Sequence, residues 1–345
     1  MKPGETLHGQ YDVIRKLGRG EYSMVWLAKS KSSGTYSALK VLKAEVTDSS
    51  LLHESEYLHR VLTADPLHPG FLHNLHLLDQ FHIYGPNGKH LCLVTELLGE
   101  DLGQYAYRFP GRRIPVAIIK SIVRQVILAM IYLHDKCNII HTDIKNTNIL
   151  LTSPALAVSE STSTTTRDSS HPNPESGEMF SNATVKLIDL GVSCWADRVE
   201  EHFTELIQSP ERRAPEVAVG AGWGKPADIW SLGCLVYELT IGEFLFDHEI
   251  DPISVPYLHA TLLGPHPPSL KFGKYCDVFF KDDGSMKYTL TERVDLADVI
   301  RSRLPEDLDT EGLIHFLELM LRMDPAERAS LQSLMKHPWL ASGSY

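Results

Sequence analysis

Residues 139–150 read IIHTDIKNTNIL. The isoleucines and leucine at either end belong in a core. His141, Asp143, Lys145, Asn146 and Asn148 between them belong in water. Any fold of this chain must therefore project Asp143, Lys145 and Asn148 from an apolar frame, and do so for a chemical reason.

The chain has 345 residues, enough for about two lobes or domains. Hydrophobic residues make up 43% and charged residues 22%, as in ordinary globular proteins. A net charge of −11 disfavours nonspecific nucleic-acid or anionic-membrane binding and favours basic partners. The five cysteines are scattered with no CxxC, so neither a disulfide framework nor a zinc site is expected, and a reducing compartment is. The N-terminal MKPGETLHGQ lacks the apolar segment of a signal peptide. The most apolar helical run, AIIKSIVRQVILAMIYL, is interrupted by Lys120 and Arg124 and reads as a buried helix. These readings lead us to expect an intracellular monomer, cytoplasmic or nuclear, with protein partners and neither membrane nor nucleic acid.

Hydrophobic patterning divides the chain. YDVIRKLG, SMVWLAKS and YSALKVLK read as strands between glycine-containing turns. Residues 50–63 show helical apolar spacing. NLHLLDQFHIYG and KHLCLVTELL read as a hairpin around Gly85–Gly88. Beyond residue 101 helices dominate, with the clearest predicted at 115–136, 225–242, 310–322 and 330–336. This is an α+β pattern: a small antiparallel sheet with one main helix, then a larger helical part, and a cleft between. The expected divisions are a tail at 1–10, an upper lobe at 11–97, a lower lobe at 98–340 and a short tail at 341–345. Residues 153–183 are rich in Ser and Thr with few large apolar residues, and read as an insertion at a hairpin tip, not as a domain linker.

Several residues could carry chemistry. Gly18 and Gly20 form a GxG, and Ser23 stands where a third glycine would complete GxGxxG. A plain turn explains this as well as a flap over phosphate does. No helix follows, which argues against a dinucleotide fold. Lys40 sits in an apolar strand, where an inward ammonium needs an anion, although it could also snorkel to water. Glu54, on the following helix, is the preferred partner, with Glu56 close by. Asp143 and Asn148 are five apart. That spacing suits one carboxylate orienting a hydroxyl and one amide oxygen offered to Mg²⁺, with Lys145 beside them to neutralise phosphoryl charge. Asp189 ends an apolar strand before Gly191, as a metal-holding Asp or as a simple turn.

Order along the chain decides between these readings. GxG, Lys, Glu, HxDxKxxN, DxG, APE (Ala214–Glu216) and ADIWSLGC follow one another, a series that resembles the eukaryotic protein-kinase superfamily from about residue 11 to 340. HTDIK, LGED, DLGVSCW, the late GKYCDVFFKDDGSMKY and the insertion point at 153–183 are most similar to the SR-protein kinase family. The resemblance implies a bilobal protein-kinase-like fold using ATP and Mg²⁺. It makes Leu17, Gly18, Gly20, Ser23 and Val25 the nucleotide flap, and Lys40 and Glu54 an ion pair. It adds Ala38 and Leu150 to the nucleotide-binding residues, makes Thr95 the gatekeeper, and makes Glu96 to Leu98 the adenine-binding segment. Asp143 would be the base, assisted by Lys145, and Asn148 and Asp189 the Mg²⁺ ligands. Glu216 and Arg328 would form a structural ion pair, and Asp228 would organise the catalytic loop. Protein serine would be the substrate, in Arg/Ser-rich proteins by family. The stretch between the acidic DHEID and KDDG is nearly neutral, however, so a kinase with less basic substrates remains an alternative, and an inactive scaffold is a third. Thr142 stands where most kinases carry an Arg that pairs with a phosphorylated activation loop, so activity without that phosphorylation is expected.

Overall fold

Six antiparallel strands make the upper lobe: β1 (Thr6–Leu7), β2 (Tyr11–Arg19), β3 (Ser23–Ser30), β4 (Tyr36–Leu42), β5 (Leu77–Gly85) and β6 (Gly88–Glu96), in spatial order β1-β2-β3-β4-β6-β5. The computed structural model describes residues 1–47, 53–152, 184–247, 249, 251–288, 293–304 and 309–341. The 153–183 insertion lies outside the described residues.

Alternation gives the sheet two unlike faces. On β4, Ser37, Leu39 and Val41 are buried, while Ala38 and Lys40 are half-buried on the opposite face. Register shifts between Val13 and Arg15 and between Lys16 and Gly18 add twist to β2 as it enters the flap turn. Residues 1–10, expected as a tail, instead begin the sheet. Leu7 is buried with Tyr11, Val13 and Phe81, and the Gly4 N–H donates to the Val13 carbonyl oxygen at 2.8 Å. The helix Glu54–Thr63 buries Glu54, Tyr57, Leu58 and Val61, one stripe at helical spacing.

The lower lobe is built on two helices. Val116–Ile131 runs on through a π-turn, Tyr132–Cys137, and stops at Asn138, which takes the left-handed conformation at φ 61°. Val116–Cys137 is long and apolar enough to cross a membrane by length and composition. In this fold Ile119, Ile122, Ile127 and Met130 are fully buried in the core. Its two interrupting charges meet the C-terminal helix Pro338–Ala341. Lys120 lies over the Trp339 ring at 5.0 Å, and Arg124 donates to the Leu340 carbonyl oxygen. The second helix, Pro226–Ile241, is apolar almost all round and correspondingly central, with Trp230, Leu232 and Leu235 at 0% exposure. Gly233 lets Thr310–Met320 and the residue after it pack closely, because a Cβ there would lie 2.9 Å from Leu321. Three short strands, β7 (Ile139–Ile140), β8 (Ile149–Leu151) and β9 (Val185–Leu187), and a fourth, β10 (Cys194–Trp195), line the top of this lobe. β8 pairs with β9, and β7 with β10.

Beneath the central helix, His259 packs edge-on against Trp230 and Phe246, and His266 against Phe280. Neither ring nitrogen of His266 has a hydrogen-bond partner among the described residues. Burial, followed by the charge of Lys271, pushes His266 down from 6.5 to about 4. The unfolded chain therefore binds this proton at a higher pH than the native state does. Stability should hold above pH 6.5 and decline as pH falls toward 4, by on the order of 3 kcal/mol. Denaturant midpoints measured across that window should fall less in His266→Phe than in the parent.

Candidate active site

Lys40 projects from the cleft face of β4. Antiparallel register sets Val25 opposite Lys40 and Thr95 opposite Ala38, so all four share that face. Leu17, Val25, Ala38 and Leu150 are only half-buried, whereas Leu27, Leu39 and Leu93 beside them are closed off. Val25 and Ala38 thus leave apolar surface on the Lys40 face, of the kind an aromatic base can cover. Above it the flap closes tightly, with the Gly20 N–H donating to the Ser23 carbonyl oxygen at 2.9 Å. The Ser23 side chain is itself buried. Gly18 sits in β2 opposite Val25.

The Lys40 ammonium contacts Glu54 Oε1 at 2.5 Å and Asp189 Oδ1 at 2.6 Å. Burial alone would lower the lysine's pKa, but the two carboxylates outweigh it and leave it raised. Glu54 is 4% exposed. Burial lifts its pKa, and Lys40 only partly offsets that. Lys40 holds Asp189 down at about 2, against the opposing effect of burial. Glu56 is exposed and turns to His53.

The catalytic-loop candidates are held from below. Asp228, in the first turn of the central helix, is fully buried. It accepts the His141 and Thr142 backbone N–H groups at 2.8 Å each, and His134 Nε2 at 2.8 Å. Burial pushes Asp228 upward, but these donors win and leave it below the usual carboxylate range. Their grip sets Thr142 at φ 68°, a conformation that β-branched residues rarely adopt. His141 accepts the Asp143 N–H at Nδ1 and donates from Nε2 to the Ile188 carbonyl oxygen.

Asp143 then faces the cleft. Its Oδ2 accepts Lys145 Nζ at 2.8 Å and Asn148 Nδ2 at 2.9 Å. Asn148 Nδ2 also donates to the Asp143 carbonyl oxygen. This fixes the amide, so Asn148 Oδ1 is the atom left to face a cation. Asp189, half-exposed at φ 65°, commits one oxygen to Lys40. An amide oxygen and a carboxylate make a hard donor set suited to Mg²⁺, which is usually held by one or two carboxylates with phosphates completing its shell. Among the described residues no cluster of three or more His, Cys, Asp or Glu could hold a metal unaided.

The structure brings Lys40, Glu54 and Asp189 into one cluster and Asp143, Lys145 and Asn148 into a second, and the Ile188 N–H beside Asp189 donates to the Asn148 carbonyl oxygen at 2.9 Å. The Glu96 side chain turns away from the cleft, accepting Lys186 Nζ at 2.6 Å and the His76 N–H at 3.0 Å, while Leu98 is buried. Glu211, an acidic residue just before the APE motif, is engaged by Arg212 at 2.6 Å and by Ser209. The Arg212 guanidinium also meets Glu238, whose other oxygen accepts Asn146 Nδ2 at 2.7 Å. Sequence reasoning missed the Arg212–Glu238–Asn146 chain and Lys186. A lysine within the apolar VKLI is the same signal that singled out Lys40. Glu216 and Arg328 form a buried two-pronged pair at 2.7 and 2.6 Å.

The chain matches the family model of the protein kinase domain over residues 11–340. It is 31% identical to the serine/threonine-protein kinase SRPK of Physarum polycephalum, covering 99% of this chain and 88% of that protein. Protein kinase dsk1 of Schizosaccharomyces pombe is 29% identical, over 97% of this chain and 81% of dsk1. SRSF protein kinase 3 of Homo sapiens is 27% identical, over 99% and 88%.

If Asp228 positions the loop, Asp228→Asn should act at a distance. An amide cannot accept donors on both sides, so His141 and Thr142 would shift. We expect kcat to fall by about a hundredfold with nucleotide affinity nearly unchanged, as read by steady-state kinetics and nucleotide titration.

Proposed function

The chain belongs to the protein kinase family, in its SR-protein kinase branch, and is a serine/threonine-protein kinase; from that premise we propose that it phosphorylates serines of Arg/Ser-rich proteins without first being phosphorylated on its own activation segment. The observation that carries the reading is the meeting of Lys40 with Glu54 and Asp189, on a strand end whose Ile188 N–H donates to the carbonyl oxygen of Asn148, the partner of Asp143. A protein kinase domain works with ATP and Mg²⁺ in general, and this cleft fits both.

In this reading Leu17, Val25, Ala38 and Leu150 enclose the base, the Glu96–Leu98 backbone faces its edge, and the flap from Gly18 to Ser23 covers the phosphates. Asn148 and Asp189 would hold the cation, which would neutralise charge on the phosphate oxygens. Lys40 grips the phosphates while Glu54 keeps its ammonium in place. The serine oxygen attacks the γ-phosphorus as the bond to the ADP oxygen breaks. Asp143 Oδ1, which makes none of the contacts that Oδ2 makes to Lys145 and Asn148, orients the hydroxyl and accepts its proton. Lys145 offsets charge on the moving group. Most of the rate comes from position and electrostatics.

Two contacts support activity without loop phosphorylation. Thr142 Oγ1 donates to the Val192 carbonyl oxygen at 2.7 Å, so a neutral bond joins the catalytic loop to the segment after Asp189. Trp195 packs edge-on against Tyr57 at 4.9 Å, which holds the Glu54 helix inward. Neither contact needs a phosphate.

The relatives named SRSF protein kinase carry their substrate in their names. For this chain, the −11 charge supports a basic substrate. The engagement of Glu211 by Arg212 favours the second reading, a kinase with less basic substrates. ATP-dependent labelling of Arg/Ser, Lys/Ser and neutral serine peptides in parallel separates them. Selective labelling of the Arg/Ser peptide is expected, and equal labelling of all three would refute the substrate assignment. Phosphatase pretreatment should leave turnover unchanged, and a loss of turnover would refute activation independence. Asp143→Asn should lower kcat by roughly 10²–10⁴-fold. Nucleotide binding should survive in that variant.

A further inference from the structure

Lys186 lies on β9, three residues before Asp189, and is 6% exposed. None of the chemistry above uses it. An ammonium so buried needs anionic or carbonyl partners. Its Nζ donates to Glu96 Oε1 at 2.6 Å and to the Asn74 carbonyl oxygen at 3.2 Å, with His76 Nδ1 3.4 Å away. The same Glu96 oxygen accepts the His76 backbone N–H. One carboxylate oxygen is thus fixed from two sides.

The elements joined give the contact its meaning. Glu96 ends β6, where the chain leaves the upper sheet for the lower lobe. β9 belongs to the lower lobe. It pairs with β8, setting Lys186 opposite Leu150 on the cleft floor, and the Leu187 carbonyl oxygen accepts the Leu75 N–H at 3.0 Å. A single ion pair therefore ties the crossing segment to the strand that delivers Asp189. Burial and the Lys186 charge keep the His76 imidazole below its ordinary pKa, so it does not compete for Glu96 as a cation at neutral pH.

We propose that Lys186 is a positioning residue for nucleotide binding: by fixing the Glu96 side chain behind the crossing, it holds the Glu96–Leu98 backbone toward the cleft and sets the base end of the site relative to Asp189. The inference rests on Glu96–Leu98 being the adenine-facing segment. A purely structural pair would lower stability, or kcat and KM together. A positioning pair acts mainly on KM for ATP, because the base end is remote from the transferred phosphoryl group.

The test is steady-state kinetics at varied ATP with saturating peptide, alongside thermal midpoints, for Lys186→Met, Glu96→Gln, the double variant and Lys186→Arg. Lys186→Met should raise KM for ATP about tenfold while changing kcat less than about twofold. The double variant should be no worse than either single one, because the two residues form one interaction. Lys186→Arg should recover most of the affinity. A folded Lys186→Met with unchanged KM would overturn the inference, as would effects that multiply in the double variant. Ala38→Leu, which fills the cleft lining without touching Lys186 or Glu96, separates the two failures. If it raises KM while Lys186→Met does not, only the Lys186 role falls. If neither variant moves KM, the placement of the base falls as well.

Discussion

Lys40 can stay inside the cleft only because two carboxylates from opposite sides meet its ammonium. The cost of burying an unpaired charge is what holds the parts together. Glu54 must be brought in by its helix, and Asp189 by the turn after β9. Remove either and the ammonium is under-compensated. The helix inherits a fixed position from this, since Tyr57, one turn beyond Glu54, then falls against Trp195. The shape of the cleft follows from a charge-pairing requirement as much as from apolar packing.

The same requirement operates below the cleft. Asp228 is fully buried and is kept ionised by three donors, two of them backbone N–H groups of the loop it supports. A backbone donor cannot swing away as a side chain can, so the carboxylate fixes the path of the chain at His141 and Thr142 and leads Asp143 outward. Arg328 and Glu216 do comparable work between the segment after the cleft and the end of the lobe. Buried ion pairs of this kind add little net stability over apolar replacements, but breaking one side is costly. They specify geometry.

Legibility in the sequence followed from how local each signal was. The first strands of the upper lobe were readable from β-branched and aromatic residues between glycine-containing turns, and β3 matched its predicted limits, Ser23–Ser30. The choice of Glu54 over Glu56 was readable because helical spacing separates a buried face from an exposed one. Asp143 and Asn148 were readable because they lie only five positions apart in one loop. The N-terminal strand was not, since two residues, Thr6 and Leu7, show no periodicity. Lys186 and Glu96, or Arg212, Glu238 and Asn146, are distant in sequence and meet only through the fold. Nothing near Glu96 announces a lysine ninety positions later.

This difference in range explains why catalysis is easier to read than substrate choice. Transfer of a phosphoryl group needs specific atoms at specific distances, and short motifs supply them. Selection among serine substrates is a sum of charges gathered from separated segments, and their effect depends on which are already paired. Glu211 shows this: counted from the sequence it is one more negative charge, but Arg212 claims its carboxylate. Arg212 also meets Glu238, so two carboxylates share one guanidinium and one negative charge is left over. That surplus is tied through Asn146 to the loop bearing Asp143. The charge this cluster can offer is therefore set by its internal balance, and no single acidic residue in it measures that charge.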